Sequence, residues 1–251
     1  MITKNYRFAD KIIQISSVYP TVHALCANYR TDEEPASLII ETTREDFAFE
    51  REKTAYEDSF TGNPRRQFTD EQLEVMAVHR KIAEQMISFD TLLMHGSCIA
   101  VDGEAFLFTA KSGTGKSTHT RLWRQLFGDR AIMVNDDKPL IRVTEAGAIA
   151  YGTPWDGKHR LSSNVAVPLR AICILQRAER NSIQRITKAE AYPMLLQQIY
   201  RPLDAAAMQK TLSLIDLLTK NVSLWRLGCN MDPEAAKVSS DAMKGQGNEA
   251  E

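Results

Sequence analysis

The stretch that most constrains this chain runs from residue 105 to residue 118, with the sequence AFLFTAKSGTGKST. It predicts a short buried strand, a turn of small residues and the start of a helix. Residues 110–117 match the Walker A phosphate loop, with Ala110 in place of the first glycine. Gly113 and Gly115 allow the positive φ values that bring backbone amides close to phosphate oxygens.

Each residue type in this loop has a separate task in binding a nucleotide. Successive N–H groups form an anion site, which the positive end of the following helix reinforces. Lys116 bridges the β- and γ-phosphates as a point charge, and Ser117 offers its hydroxyl to Mg²⁺. The predicted nucleotide-binding residues are Ser112, Gly113, Thr114, Gly115, Lys116, Ser117 and Thr118. The alternative is a glycine-rich turn that only caps a helix.

A buried strand that ends in two carboxylates follows this loop. Residues 131–134 are apolar, and Asn135, Asp136 and Asp137 come directly after them. This is the Walker B arrangement, which places a carboxylate near Mg²⁺ and the γ-phosphate. We therefore predict Asp136 and Asp137 as metal ligands together with Ser117, and one of them as the group that accepts the proton of the attacking hydroxyl. The sequence leaves open which carboxylate has which role, and an ordinary turn is the alternative.

Asp102-Gly103 separates two strand-like runs, residues 92–101 and 104–109, which is a strong signal for a two-residue hairpin. The strand that enters the loop therefore pairs antiparallel with the strand before it, instead of arriving from a βαβ crossover. We predict an α/β fold with a mixed sheet, a hairpin-fed P-loop and flanking helices. His95 is placed on the partner strand, within reach of the γ-phosphate. The alternative for His95 is a core histidine bonded to backbone.

These motifs carry a resemblance to a known family. His95-Gly96, the Asp102-Gly103 hairpin, the loop 112–117 and the strand end 135–137 resemble the catalytic domain of HPr kinase/phosphorylase. They resemble more distantly the nucleotide-binding half of phosphoenolpyruvate (PEP) carboxykinase. Residues 152–233 resemble a group of bacterial HPr-kinase-like proteins. The resemblance implies Mg²⁺-ATP binding and phosphoryl transfer to a hydroxyl, with His95, Asp136 and Asp137 acting at the γ-phosphate.

The chain also departs from that family. The Glu-x-Arg-Gly signature of HPr kinases does not occur in it, and residues 1–90 do not resemble their N-terminal domain. HPr is therefore not predicted as the acceptor. Because the chain is far shorter than a carboxykinase, carboxykinase activity is not the favoured interpretation.

The predicted function is an ATP-dependent kinase that transfers the γ-phosphoryl group of Mg-ATP to a hydroxyl of a protein, a peptide or a metabolite. The alternatives are a nucleotide-binding regulator without catalysis, a PEP-carboxykinase-related enzyme and an NTPase. Lys158 lies in a charged loop, residues 152–160, and is a candidate for neutralising the transferred phosphoryl group. The alternative for Lys158 is a solvated turn. Phosphatase activity is left open.

Composition limits the partners. The chain is 43% hydrophobic and 25% charged, as in soluble globular proteins. A net charge of −1 gives no general attraction to nucleic acid or to a membrane surface. No apolar run approaches the roughly 18 residues of a membrane span. The four cysteines lie far apart, which predicts reduced, mostly buried thiols in a cytoplasmic protein. The expected partners are a nucleotide and a hydroxyl acceptor, with homo-oligomerisation left open.

The predicted organisation has three parts: accessory strands and a helix at 1–90, a catalytic core with C-terminal helices at 91–243, and a disordered tail at 244–251. Thr69 and Gln72 form a capping box that begins a helix. Residues 43–57 mix both charges without a clear period, and we interpret them as a solvated face or loop. Residues 183–186 are expected to pair near a buried strand at 168–175.

Overall fold

The computed structural model describes residues 1–61 and 66–245, and the chain divides into two compact units, Met1–Met86 and Ile87–Glu251. Each unit has its own sheet. The predicted tail falls mostly on residues 246–251, which lie outside the described residues. Lys244 itself ends the last helix.

The first unit combines a three-stranded sheet with helices. Its elements are β1 Ile2–Phe8, β2 Lys11–Ser17, α1 Thr21–Leu25, β3 Leu38–Glu41, α2 Arg44–Thr61 and α3 Asp70–Met86. Strand β2 pairs antiparallel with β1 and parallel with β3.

The capping box at the start of α3 is confirmed. The Thr69 amide donates to Gln72 Oε1 at 3.0 Å, and the Gln72 amide donates to Thr69 Oγ1 at 3.4 Å. The buried face of α3 also carries Glu74, whose carboxylate accepts hydrogen bonds from the amides of Val18 and Tyr19. This buried acid fixes the end of β2 against the helix.

The interpretation of residues 43–57 as a solvated face or loop is corrected in part, because residues 44–57 lie in α2, a helix with both exposed and buried positions. Here the charges themselves form the packing face. Arg80 of α3 donates to Glu50 at 2.5 Å and to Asp46 at 3.1 Å, while Lys81 donates to Asp46 at 2.7 Å. Glu50 is only 1% exposed at its side chain. A helix that packs through buried ion pairs lacks the apolar period by which an amphipathic helix is predicted.

The second unit holds, within its described residues, a nine-stranded mixed sheet with flanking helices. The strands are β4 Thr91–Leu93, β5 Ser97–Val101, β6 Glu104–Thr109, β7 Ala131–Asn135, β8 Leu140–Thr144, β9 Gly147–Tyr151, β10 Ala166–Arg177, β11 Ser182–Arg185 and β12 Ser223–Cys229. The helices are α4 Lys116–Phe127, α5 Lys188–Gln198, α6 Ala205–Asn221 and α7 Glu234–Lys244. The strand order is β4-β8-β9-β10-β6-β5-β7, with β12 paired to β10 and β11 paired to β12.

Strand β6 is buried on both faces, which explains its uninterrupted apolar run. Phe106 and Phe108 pack with Trp123 of α4 and with α7. Ala105 and Leu107 belong to the core on the other face, which includes apolar side chains of α5 and α6. The alternation of side chains along the strand therefore places one helix pair on each side of the sheet.

The predicted hairpin is confirmed, since β5 and β6 pair antiparallel across Asp102 and Gly103. Both turn residues have positive φ, 54° and 84°, as a type I′ turn requires. The single run predicted at 92–101 is wrong. It contains two strands, because β4 pairs with β8 whereas β5 pairs with β6 and β7.

Strand β10 organises the rest of the sheet. It pairs with β9 at residues 166–168, with β6 at 169–174 and with β12 at 171–177. Residues 182–185 form β11, which pairs with β12, the strand beside β10, so the pairing expected near the buried strand is confirmed. Strand β6 occupies one edge of β10. The other edge pairs first with β9 and then, further along, with β12.

Candidate functional site

The loop 110–117 lies between the end of β6 and the start of α4, as predicted. Gly113 and Gly115 have φ values of +76° and +120°, which only glycine adopts readily. The first intrahelical bond of α4 runs from the amide of His119 to the Gly115 carbonyl, at 2.9 Å. The amides of residues 116–118 therefore precede the helical hydrogen bonds, and they are oriented to receive an anion.

The Lys116 ammonium lies inside this loop. The residue is 8% exposed, and Nζ donates to the carbonyl of Ala110 at 3.2 Å. Burial lowers the pKa of Lys116, and the nearby Lys138 lowers it further, while the carboxylates of Asp137 and Asp136 act in the opposite direction. The structure thus brings the predicted lysine and both predicted acids into one electrostatic environment.

Asp136 is buried at the end of β7 and is held by a hydroxyl. Ser97 of β5 donates to Asp136 Oδ1 at 2.5 Å, and the Ser97 and Thr120 hydroxyls lie 2.8 Å apart. Thr120 lies in the second turn of α4, and its hydroxyl oxygen lies 3.3 Å from the Ser117 carbonyl oxygen. A chain of hydroxyls therefore connects the acid to the helix that begins at Lys116.

Asp137 is more accessible than Asp136, with 35% of its side chain exposed. Its amide and that of Lys138 donate to Asn135 Oδ1, at 2.8 and 2.6 Å. The amide group of Asn135 donates in turn to the Thr153 carbonyl at 2.9 Å. This network fixes the turn after β7, so the two carboxylates are presented by ordered backbone.

His95 lies near these acids, but it is not on a strand. The structure corrects that expectation, because residues 94–96 link β4 to β5. The Gly96 amide donates to the Asp137 carbonyl at 3.0 Å, and His95 Nε2 lies 3.4 Å from Asp137 Oδ1. Burial of the ring lowers the pKa of His95, and the positive charges of Lys138 and Lys116 lower it further, to about 4. His95 is therefore neutral at pH 7.

The fifth catalytic candidate, Lys158, is exposed on the loop that follows β9. Within the part of the chain that the structure describes, it makes no hydrogen bond or ion pair with the other candidates. The loop does reach the site, since a Cβ on Gly157 would lie 3.3 Å from Asp137 Cβ. Gly152 fixes the base of the loop. A Cβ there would lie 1.8 Å from the Ser163 carbonyl oxygen and 2.8 Å from that of Val134.

Besides Ser97, Thr120 and Lys138, two residues from distant segments contact the site and were not predicted. Gln198, at the end of α5, places Oε1 2.8 Å from His95 Nδ1. Because a carboxamide oxygen only accepts, Nδ1 carries the proton of the neutral ring and Nε2 presents a lone pair to Asp137. Arg177, at the end of β10, donates to the Gly113 carbonyl at 2.5 Å. Both come from distant segments, so no local pattern indicates them.

The predicted metal ligands have the chemistry that Mg²⁺ requires. Mg²⁺ prefers hydroxyl and carboxylate oxygens, which Ser117, Asp136 and Asp137 supply. Ser117 is half-buried at the start of α4, and Asp136 has a second carboxylate oxygen besides the one that Ser97 binds. Within residues 1–61 and 66–245, no three histidine, cysteine, aspartate or glutamate side chains group in a way that could hold a metal ion. All four cysteines are free, and three are buried, as predicted.

Comparison of the sequence with models of protein families finds a match. Residues 64–213 match the model of a family described as SynChlorMet cassette protein ScmC. The match covers 150 of the 251 residues, which is more than half of the chain. The chain belongs to the ScmC family. The matched region of this ScmC-family chain includes the loop 110–117, His95, both acids and Gln198.

A solved structure is also similar to this ScmC-family chain. It is the Hpr(Ser) kinase/phosphatase from Coxiella burnetii, at 10% sequence identity and a TM-score of 0.36. The similarity covers 61% of the ScmC-family chain and 93% of the other chain. No curated protein matches. Among the described helices, none combines the length and apolar character needed to cross a bilayer.

Proposed function

We propose that this chain is an ATP-dependent phosphotransferase that passes the γ-phosphoryl group of a nucleotide to a hydroxyl. One observation carries the proposal. The buried Lys116 begins α4, after two glycines of positive φ, and its charge interacts with the carboxylates of Asp136 and Asp137. Phosphoryl transfer depends mostly on positioning and on neutralising charge, and these groups supply both.

The nucleotide occupies the loop 110–117 in this proposal. The amides of residues 116–118 and the Lys116 ammonium hold its phosphates. Arg177 stabilises the loop through its bond to the Gly113 carbonyl. Ser117 and Asp136 would hold Mg²⁺, which neutralises phosphate charge when bound. Asp136 suits this role better than Asp137, because Ser97 and the buried end of β7 fix its position.

Asp137 is the proposed general base, because it is the more exposed acid and faces His95. The acceptor oxygen forms a bond to the γ-phosphorus, the bond from that phosphorus to the β–γ bridging oxygen breaks, and the nucleoside diphosphate leaves. The hydroxyl proton passes to the Asp137 carboxylate. The lone pair of His95 Nε2 faces the same carboxylate at 3.4 Å, so a proton held there is stabilised by both groups.

The test is ³¹P NMR of Mg-ATP with the full chain, alone and with a pool of peptides and hydroxyl metabolites. We expect ADP together with a new phosphoester signal. Lys116→Ala is expected to lose nucleotide binding. Asp136→Asn combined with Asp137→Asn is expected to retain nucleotide binding and lose transfer.

The other outcomes separate the alternatives. ADP and inorganic phosphate without a phosphoester, in every pool, indicate an NTPase. Tight ATP binding without turnover indicates a nucleotide-binding regulator. Equal ATP binding by the wild type and the Lys116→Ala variant contradicts the phosphate-loop assignment itself.

A further inference from the structure

A cavity of about 730 Å³ lies where β9 and β12 separate along their shared edge of β10. Strand β9 pairs with β10 only at residues 166–168, and β12 begins to pair only at Ala171. Between them, Leu169 and Arg170 line the cavity, opposite the turn at Gly147 and the start of β12 at Ser223. The division of the sheet edge therefore creates the cavity.

The charged side chains that line this cavity are mostly cationic. Arg170 of β10, Arg185 of β11 and Lys220 of α6 line it, against one acid, Glu104. Arg170 Nε lies 3.9 Å from Glu104 Oε1, so these two residues form an ion pair on one side of the cavity. Arg185 is positioned by Trp225, whose ring centroid lies 6.0 Å from the guanidinium carbon. Cations that converge from three separate elements produce a local positive potential in a chain whose net charge is −1.

The shape and chemistry of the cavity select a ligand class. Its volume is within the range of sites that bind small molecules, roughly 300–1,000 Å³. Guanidinium groups bind phosphate and carboxylate oxygens through two parallel hydrogen bonds. The rim is fixed, because Asn221 donates to the Thr144 carbonyl at 2.7 Å. A small anion with at least two negative charges matches the charged part of this lining.

The cavity is separate from the candidate nucleotide site. Glu104 begins β6 and lines the cavity, while the loop 110–117 follows the other end of the same strand. Five residue steps at about 3.3 Å each put the two ends about 17 Å apart. We propose that this cavity is a second binding site, for a small multivalent oxyanion such as a phosphate ester or a polycarboxylate.

The test is isothermal titration calorimetry without Mg²⁺, using the full chain with Lys116→Ala so that the phosphate loop does not contribute. Pyrophosphate and citrate are the two probes, and they distinguish phosphate from carboxylate recognition. We expect at least one probe to bind. Adding Arg185→Ala and Lys220→Ala is expected to weaken that binding tenfold or more. Both side chains are exposed, and far-UV circular dichroism checks that the variant is folded.

The matched control is Lys237→Ala, also in the Lys116→Ala background. It removes an exposed positive charge from α7 and leaves the cavity lining intact. This control is expected to bind as tightly as its parent. The proposal is overturned if neither probe binds the Lys116→Ala protein. It is equally overturned if the Lys237→Ala control loses as much affinity as the variant that lacks Arg185 and Lys220.

Discussion

At the scale of single residues, the candidate site divides into groups that sequence patterns indicate and groups that only the fold provides. Lys116, Asp136 and Asp137 follow from local motifs, and the structure brings their charges together. Gln198 is 103 residues from His95 in the sequence, so its contact depends on how α5 meets the link before β5. A sequence pattern reports only on residues that are close along the chain, so it cannot indicate a contact between residues this far apart.

Gln198 gives the prediction at this scale, because its bond to His95 Nδ1 raises the pKa of that histidine. Gln198→Leu removes the bond and is expected to lower the pKa of His95 further. Gln198→Glu adds a negative charge and is expected to raise it. The measurement is an NMR titration of the imidazole signals of each variant.

The activity of these two variants gives a second readout. Under the proposed function, Gln198→Leu reduces kcat about tenfold and leaves nucleotide affinity unchanged, because His95 faces Asp137 and not the loop 110–117. A pKa of His95 that is the same in both variants would exclude Gln198 as a positioning residue.

At the scale of elements, prediction succeeds where neighbouring residues determine the local structure and fails where distant contacts determine it. The Asp102-Gly103 hairpin and the capping box at Thr69 depend on adjacent residues, and the structure confirms both. Helix α2 was missed because its packing face is ionic. The length of β10 was underestimated because its ends pair with different strands, and no property of one segment reveals its partners.

The contact between α4 and α7 gives the prediction at this scale. Ser239 of α7 accepts a hydrogen bond from Trp123 Nε1 at 2.8 Å and lies 3.0 Å from His119 Nε2, all of them buried. Ser239→Ala leaves the indole N–H without this partner. We expect the free energy of unfolding to fall by about 1–3 kcal/mol, the usual cost of an unsatisfied buried donor.

Chemical denaturation followed by tryptophan fluorescence measures this loss. The control is Ser213→Ala, at an exposed serine of α6 that bonds only the Gln209 carbonyl within the described residues. It is expected to change the unfolding free energy by less than about 0.5 kcal/mol. Equal effects of the two substitutions would show that the Ser239 contact contributes nothing.

At the scale of the whole molecule, the chain divides into two compact units, Met1–Met86 and Ile87–Glu251. All three tryptophans, at positions 123, 155 and 225, belong to the second unit. Fluorescence therefore reports the unfolding of Ile87–Glu251, whereas circular dichroism reports both units. Since two units need not unfold in one step, the two signals provide a test of cooperativity.

Stability is expected to depend on pH through His23 in the first unit. The imidazole is buried between the Tyr6 hydroxyl at 2.7 Å and the Ser17 hydroxyl at 2.9 Å. Burial lowers its pKa below the ordinary 6.5, Lys4 lowers it further, and a bond to the Ile2 carbonyl and the charge of Glu74 oppose the shift. The unfolded chain therefore binds a proton more readily, so stability is lost as the pH falls through about 6.5.

Thermal unfolding at pH 7.5 and at pH 5.5, followed by circular dichroism, measures this effect. His23→Asn is expected to reduce the difference in Tm between the two pH values. His159→Asn, at an exposed histidine, is the matched control and is expected to leave the difference unchanged. An undiminished difference in the His23 variant would assign the pH dependence to other groups.

The close approach at Gly152 has a consequence for how this protein can evolve. Two backbone carbonyls occupy the space that any side chain would need, so no movement of a neighbouring side chain relieves the collision. Every missense change at this codon is expected to be eliminated by selection. A search for distant homologues should therefore require a glycine at this position, at the same spacing after an Asn-Asp-Asp sequence. This requirement is more specific than the phosphate loop alone.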